Sequence, residues 1–276
     1  MSLVPTRIDA LPHTRASKLT PDDLAALRRA VRMLEHPSLA ARLTSLVGRP
    51  IDIIGQMLPS SASQMIAAAA SLGLQAALKV ALRTMRGPAQ PHSRLLHKTM
   101  AAASGAAGGA FGLAALPVEL PVSTVIMLRS IADIAHSEGE DLSDPEVALS
   151  CMQVFALGAR TGSVDMSESG YLAVRVVLAT TMTEAARYIA ERGVVKDSGP
   201  VLIRFIAQVA ARFGVVVSQK VAAQALPFVG ALGGAAVNYA FIEHFQDVAR
   251  GHFTVRRLER VYGKDLVLAE YRRLVG

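Results

Sequence analysis

An all-α fold, a multi-helix bundle built around two glycine-rich apolar helices with no significant β-sheet, is what this sequence predicts, and three observations predict it. Apolar residues recur at alternating steps of three and four, two stretches carry glycines spaced four apart, and no segment sustains the alternation of a half-buried strand. With 276 residues, 51% of them hydrophobic, the chain can bury a large core.

The elements follow in order. Thr20-Pro21-Asp22-Asp23 supplies an N-cap hydroxyl, a proline at the first helical position and a carboxylate at the third, ahead of Leu24, Leu27, Val31 and Leu34. A helix is expected from there to about His36. Ser143-Asp144-Pro145-Glu146 repeats this start signal, with Ser143 read as the cap, before Val147, Cys151, Val154 and Phe155. Tyr171, Val174, Leu178, Met182, Ala185 and Ile189 form one helical stripe, and Leu202, Ile206, Val209, Phe213 and Val216 form the next. Turn chemistry at Arg86 to Pro91, Arg160 to Gly170 and Gly193 to Pro200 marks the loops.

Charge divides the chain. The net charge is +7, but residues 1 to 100 hold 13 Lys and Arg against 5 Asp and Glu, whereas the rest hold 16 against 17. All 8 Phe and 5 Tyr fall after residue 100. We therefore read 1–18 as a flexible basic tail, 19–94 as a basic, aromatic-free helical segment and 95–276 as the helical core. Single-stranded nucleic-acid binders set aromatic stacking platforms beside their cations, and no recognition helix or zinc-finger spacing occurs, so nucleic acid is disfavoured as a partner. An anionic membrane surface asks only for cations beside an apolar face. The candidates for that contact are Arg28, Arg29, Arg32, Lys79, Arg83 and Arg86, joined by Arg256 and Arg257 in a cationic C-terminal segment. The single Cys151 builds neither a disulfide nor a cysteine zinc site within one chain, and it sits on an apolar stripe as a small hydrophobe. With no secretory pattern at the N-terminus, the expected place is cytoplasmic, peripheral to or partly inserted in the inner membrane.

Three stretches lack charge for long enough to raise a membrane question: Ile53 to Leu78, Met100 to Val118 and Val221 to Ile242. Large apolar residues are sparse in the second, and Gln224, Pro227 and Asn238 interrupt the third, so burial in a helical core outweighs spanning. Gly105 with Gly109, Gly108 with Gly112, and Gly230 with Gly234 each share a helix face, where a second backbone can approach closely. A helical glycine costs about 1 kcal/mol relative to Ala, so close packing must offset it. These glycines and Asn238 are the candidate ligand or helix-packing positions.

The run from Gly105 through Phe111, Pro117, Glu119 and Pro121, continued by Leu128 to Ala135 and Gly139-Glu140-Asp141, resembles the EcsC protein family. So does Leu226 to Asn238 followed by His244 to Arg250. The resemblance covers roughly residues 95 to 265 and implies an α-helical, bacterial, membrane-associated protein, named for association with an ABC-transporter locus, with no established catalytic mechanism. Where the family often has Asp after the glycine-rich run, this chain has Glu119 and keeps the acid.

Acids and histidines in apolar helices are expensive unless paired or functional. Asp133 and His136 have the i, i+3 carboxylate–histidine spacing of di-iron bundles, with Glu119 as a third candidate ligand, so these three are the candidate metal or catalytic residues. A second E-x-x-H is missing, since Glu243 and His244 are adjacent, and no HExxH, nucleophile elbow or phosphate loop occurs. The competing reading is structural pairing: Glu119 or Asp133 with Arg129, Glu184 with Arg187, Asp247 with Arg250. The expectation is a non-enzymatic, membrane-associated helical protein that binds lipid or another apolar ligand, with no cofactor. The alternatives are a metal-dependent helical enzyme and an accessory subunit docked on a transporter or other membrane protein.

Overall fold

The computed structural model describes residues 18–35, 38–48, 50–51, 58–84, 116–159, 169–192, 199–225 and 230–276. Among these the chain is helical, with no strand. In order the helices are α1 (Pro21–Glu35), α2 (Leu39–Val47), α3 (Ser60–Thr84), α4 (Leu116–Ser137), α5 (Pro145–Leu157), α6 (Gly170–Arg192), α7 (Pro200–Gln224), α8 (Gly230–Tyr262) and α9 (Lys264–Val275).

Local chemistry sets several of their ends. Asp23 N–H donates to Thr20 Oγ1 at 3.2 Å, and the Thr20 hydroxyl donates to the Asp23 carboxylate at 3.1 Å, a reciprocal cap at the start of α1. The start of α5 corrects the expected cap. Asp144, not Ser143, accepts from Glu146 N–H at 2.8 Å, while the Ser143 hydroxyl donates to Asp141. Proline at the first helical position puts the cap one residue before it, which is Asp144. Gly48 ends α2 with φ 68°, in the left-handed region that glycine enters without strain.

Packing centres on α8, which lies against α1, α2, α4, α5, α7 and α9. The expected stripes are buried: Tyr171, Val174, Leu178, Ala185 and Ile189 on α6, and Leu202, Ile206, Val209, Phe213 and Val216 on α7. Met182 is only half-buried. Phe155, Phe213, Phe241 and Phe245 from α5, α7 and α8 form a ring cluster, with Phe155 edge-on to Phe213 at 5.0 Å and Phe241 edge-on to Phe245 at 5.2 Å. Buried residues of α1, α2 and α3 belong to the same core as those of the later helices. Cys151 is fully buried within it.

One expectation changes. Val221 to Ile242 is not one apolar element, because α7 ends at Gln224 and α8 starts at Gly230. Among the described residues, the helices long and apolar enough to cross a bilayer are Ser60–Ala81 within α3 and Pro200–Gln224, each a little under half buried. The second was missed in the sequence because Arg204, Arg212 and Lys220 interrupt it. Among the described residues, glycine-mediated close packing occurs at two further helical glycines that no motif marks. A Cβ on Gly251 of α8 would meet Leu34 Cγ at 2.7 Å and the Ala30 carbonyl at 3.1 Å on α1, and one on Gly73 of α3 would meet Thr124 Oγ1 of α4 at 2.9 Å. Residues 105–112 lie outside the described residues, so the pairing of Gly105, Gly108, Gly109 and Gly112 with the glycines of α8 does as well.

Gly251→Ala is therefore expected to destabilise the protein by about 1–2 kcal/mol, the overpacking of α1 against α8 exceeding the gain in helix propensity. Gly214→Ala, whose Cβ would enter open space, is expected to stabilise it by about 0.5–1 kcal/mol. Thermal denaturation of both variants checks this; an equally stable Gly251→Ala would show that α1 and α8 do not meet at that glycine.

Candidate functional site

The acids and histidines singled out in the sequence are mostly claimed by structural partners. Glu119, on the first turn of α4, accepts a hydrogen bond at 2.7 Å from Lys220 Nζ of α7, and Lys220 is fully buried with its ammonium 5.1 Å from the Phe241 ring centre. Arg129, the partner expected for Glu119 or Asp133, is exposed. Asp247 does pair with Arg250 at 2.6 Å, and Arg42 of α2 joins it at 2.6 Å. Glu184 is exposed, and Arg187 pairs with Glu191 rather than with it.

The candidate metal set of Glu119, Asp133 and His136 does not assemble. At 1.5 Å per residue the helix separates Glu119 from Asp133 by about 21 Å, and His136 is exposed near the end of α4. Among the described residues no three His, Cys, Asp or Glu side chains converge as metal ligands. Glu119 lies too many turns away along α4 to join Asp133 and His136.

A polar layer that the sequence did not reveal runs through α5, α6 and α8. His252 Nε2 lies 2.8 Å from Ser150 Oγ and its Nδ1 lies 3.0 Å from the Tyr171 hydroxyl. Arg175 donates to that hydroxyl at 3.3 Å and holds Glu259 through two bonds of 2.7 and 3.0 Å. Burial, reinforced by the charges of Arg175 and Arg256, pushes the His252 imidazole well below its ordinary value, so it is neutral near pH 7. The assignment that gives each group a partner runs Arg175 to Tyr171 to His252 Nδ1, with Nε2–H directed at Ser150. In that arrangement His252 is not placed as a base for the serine, and Ser150 is fully buried. The layer is suited to holding three helices in register. His244 Nε2–H likewise donates to the Gly158 carbonyl at 2.9 Å, and burial lowers its pKa from 6.5 to about 4.

At the α4–α5 corner, Glu140 is held by Arg256 Nε at 2.8 Å and by Arg260, while Glu138 accepts from Arg257 Nε at 3.0 Å. Burial alone would raise the Glu140 carboxyl, but the hydrogen bonds and charges of the two arginines hold it below its ordinary value. Arg257 also reaches Asp23 of α1 at 3.1 Å. This corrects the assignment of Arg256 and Arg257 to an anionic membrane contact: both are partly buried and engaged by acids of this chain. Arg28, Arg29, Arg32 and Lys79 are exposed, the side chain of Arg83 and all of Arg86 lie outside the described residues, Gly234 and Asn238 are buried in α8, and Gly230 opens that helix.

Two cavities border these networks. One, of about 340 Å³, lies between α5, α6 and α8 and is lined by Gln153, Arg175, Arg256 and Glu259 among others. The other, of about 280 Å³, lies between α1, α4 and α8, beside Arg29, Arg250 and Arg257.

The model of the EcsC protein family matches residues 22–258. The chain belongs to that family. The match starts in α1, well before the glycine-rich motifs that carried the resemblance, so the basic helices are part of the EcsC unit. No curated protein and no solved structure matches the chain. In this EcsC protein the ordered motif 128–141 forms the second half of α4 and the turn bearing Glu138 and Glu140, and 238–250 forms the middle of α8.

Two outcomes test these networks. Lys220→Met is expected to cost about 3–5 kcal/mol by stranding the Glu119 carboxylate, and the Glu119→Leu/Lys220→Met double variant is expected to recover most of the loss; chemical denaturation that finds the double variant no better than the single would refute the pairing. For pH, His244 has a folded value below its unfolded one. Its effect is therefore nil above pH 6.5, and as pH falls from 6.5 toward 4 the unfolded chain takes up a proton that the native state refuses, removing roughly 3 kcal/mol of stability. His252 acts with the same sign. Denaturant midpoints measured across that window should fall in the wild type and fall less steeply in His244→Gln, whose amide can still donate to Gly158 while His252 keeps its own contribution.

Proposed function

We propose that this EcsC protein is a non-enzymatic, membrane-associated helical protein that seats at the cytoplasmic face of an anionic membrane, peripherally or partly inserted, and takes up lipid or another apolar ligand there. The observation that carries the reading is the outer face of the α6–α7 hairpin. Ile203, Ala207, Ala211 and Val215 are all exposed and recur every fourth residue along α7, and Ile203 is 58% exposed. The hairpin is antiparallel, since Thr181 donates to Gln208 at 2.7 Å and Tyr188 packs on Gly199, so exposed Val177 of α6 stands level with Ala211. Arg204 and Arg212 border this stripe, the arrangement of an interfacial helix that pairs apolar seating with anionic headgroups. Exposed apolar Met65 and Leu72 on α3, and Val118 and Val122 on α4, add a second unburied apolar surface where those two helices pack. Arg28, Arg29, Arg32 and Lys79 add exposed cations.

Flotation of the full chain with phosphatidylglycerol vesicles tests the reading. The wild type is expected to float at low salt, less at high salt and little with phosphatidylcholine, and Ile203→Glu/Val215→Glu, which alters only exposed positions, is expected to lose most of the floated fraction. A wild type that stays at the bottom of the gradient, or a double variant that floats equally well, overturns it.

A further inference from the structure

The cavity between α5, α6 and α8 presents hydrogen-bond donors that the protein itself leaves without acceptors. Every residue of α5 from Val147 to Leu157 is buried, and Gln153 is the one carboxamide among them, 3% exposed. Its side chain lines the cavity and makes no hydrogen bond among the described residues. Its amide faces the open cavity rather than being sealed from water, so a polar guest that accepts from it takes the place of solvent there. Arg256 points two of its three nitrogens at Glu140, and the third, Nη1, has only the largely exposed Glu146 at 3.6 Å, beyond hydrogen-bond reach. Lys264, at the start of α9, lines the same cavity and forms no ion pair among the described residues.

The charges agree. Arg175, Arg256, Arg260 and Lys264 line the cavity against Glu146 and Glu259. Glu259 is neutralised by its two bonds to Arg175, and Glu140, behind the wall, is shared by Arg256 and Arg260. The cavity therefore keeps a positive balance with donors from α5, α8 and α9 converging on it. Ala179 and Met182 of α6 form an apolar wall. By helical spacing Val176, 74% exposed, stands one turn from Ala179 at the rim, and Val261, 61% exposed, follows Arg260. A volume of about 340 Å³ admits a small organic anion.

We propose that this cavity is a binding site for a phosphate ester, with Gln153, Arg256 Nη1 and Lys264 donating to the phosphoryl oxygens and the Ala179–Met182 wall taking the first carbons of the alcohol. Fixed donors of this kind favour a compact oxyanion over a cation or a neutral guest. The phosphate can belong to a free ester or to a lipid headgroup whose chains leave over the valine rim. The site does not depend on the membrane reading, because the α6–α7 stripe and the cavity use different residues.

Calorimetric titration of the full chain with inorganic phosphate and with glycerol 3-phosphate, at constant ionic strength set by chloride, is the test, with vesicle flotation as a second arm. One equivalent of glycerol 3-phosphate is expected to bind, more tightly than inorganic phosphate. Lys264→Ala, at an exposed position, and Gln153→Leu are each expected to weaken binding on the order of tenfold, whereas Arg272→Ala, an exposed cation of α9 outside the cavity, leaves it unchanged. If free esters fail to bind but Lys264→Ala and Gln153→Leu selectively reduce flotation on phosphatidylglycerol, the ligand is a lipid headgroup and the site stands. If binding and flotation are both indifferent to Lys264→Ala and Gln153→Leu, or respond equally to Arg272→Ala, the site is refuted. The Ile203→Glu/Val215→Glu protein should still bind the free ester, so failure of the membrane reading and failure of this site are separable.

Discussion

A helix that lies inside a core and yet carries polar side chains on its buried face constrains everything packed against it. α8 is that helix. Asn238, His244, Gln246, His252 and Glu259 are all buried along it, and a polar group taken from water without a partner costs more than most apolar contacts return. The partners come from the surrounding helices: Gly158 for His244, Ser130 for Gln246 at 2.7 Å, Ser150 and Tyr171 for His252, and Arg175 for Glu259. Apolar packing is non-directional and would tolerate sliding of one helix along another. These bonds are directional, and they set the register of α4, α5 and α6 on α8.

On the far side of α8, Gly251 lets α1 approach until Leu34 and the Ala30 carbonyl fill the space a side chain would need. That close approach brings the start of α1 within reach of the end of α8, where Arg257 joins Asp23 to Glu138 and Tyr262 donates to Asp23 at 2.7 Å. The cations of this end of α8 are thus turned inward to acids of the same chain. Arg28, Arg29 and Arg32 of α1 and Arg204 and Arg212 of α7 form no such pair among the described residues, and the last two border the exposed apolar stripe of α7. The molecule consequently separates two uses of positive charge, one that ties helices together and one that is offered outward.

The cavity beside α5 belongs to neither use alone. Arg175 and Arg256 are structural on one side, bound to Glu259 and Glu140, and face open space on the other. Arginine serves such a double role because its planar fork offers five donors, more than one carboxylate can accept. Gln153 faces the same space from α5, which is buried from Val147 to Leu157, and adds a polar group to the cavity wall.

The all-helical class, the cap at Thr20 and the buried stripes of α6 and α7 were legible in the sequence, because 3.6-residue periodicity and capping are local properties that each segment carries by itself. So was the principle that glycine permits close helix packing, although the crossings the structure describes use Gly73 and Gly251, isolated glycines without a motif to mark them. Glu119 was legible as a buried acid, and Lys220 could have been suspected as a lone cation in an apolar run, but nothing local joins residues a hundred positions apart. The same holds for Ser150, Tyr171 and His252, and for the donors around Gln153. The sequence by itself determined which segments are helices and which face of each is apolar. Only the tertiary structure decided which polar residue meets which, because those pairings depend on the angles and depths at which helices cross, and these are set by the whole core at once.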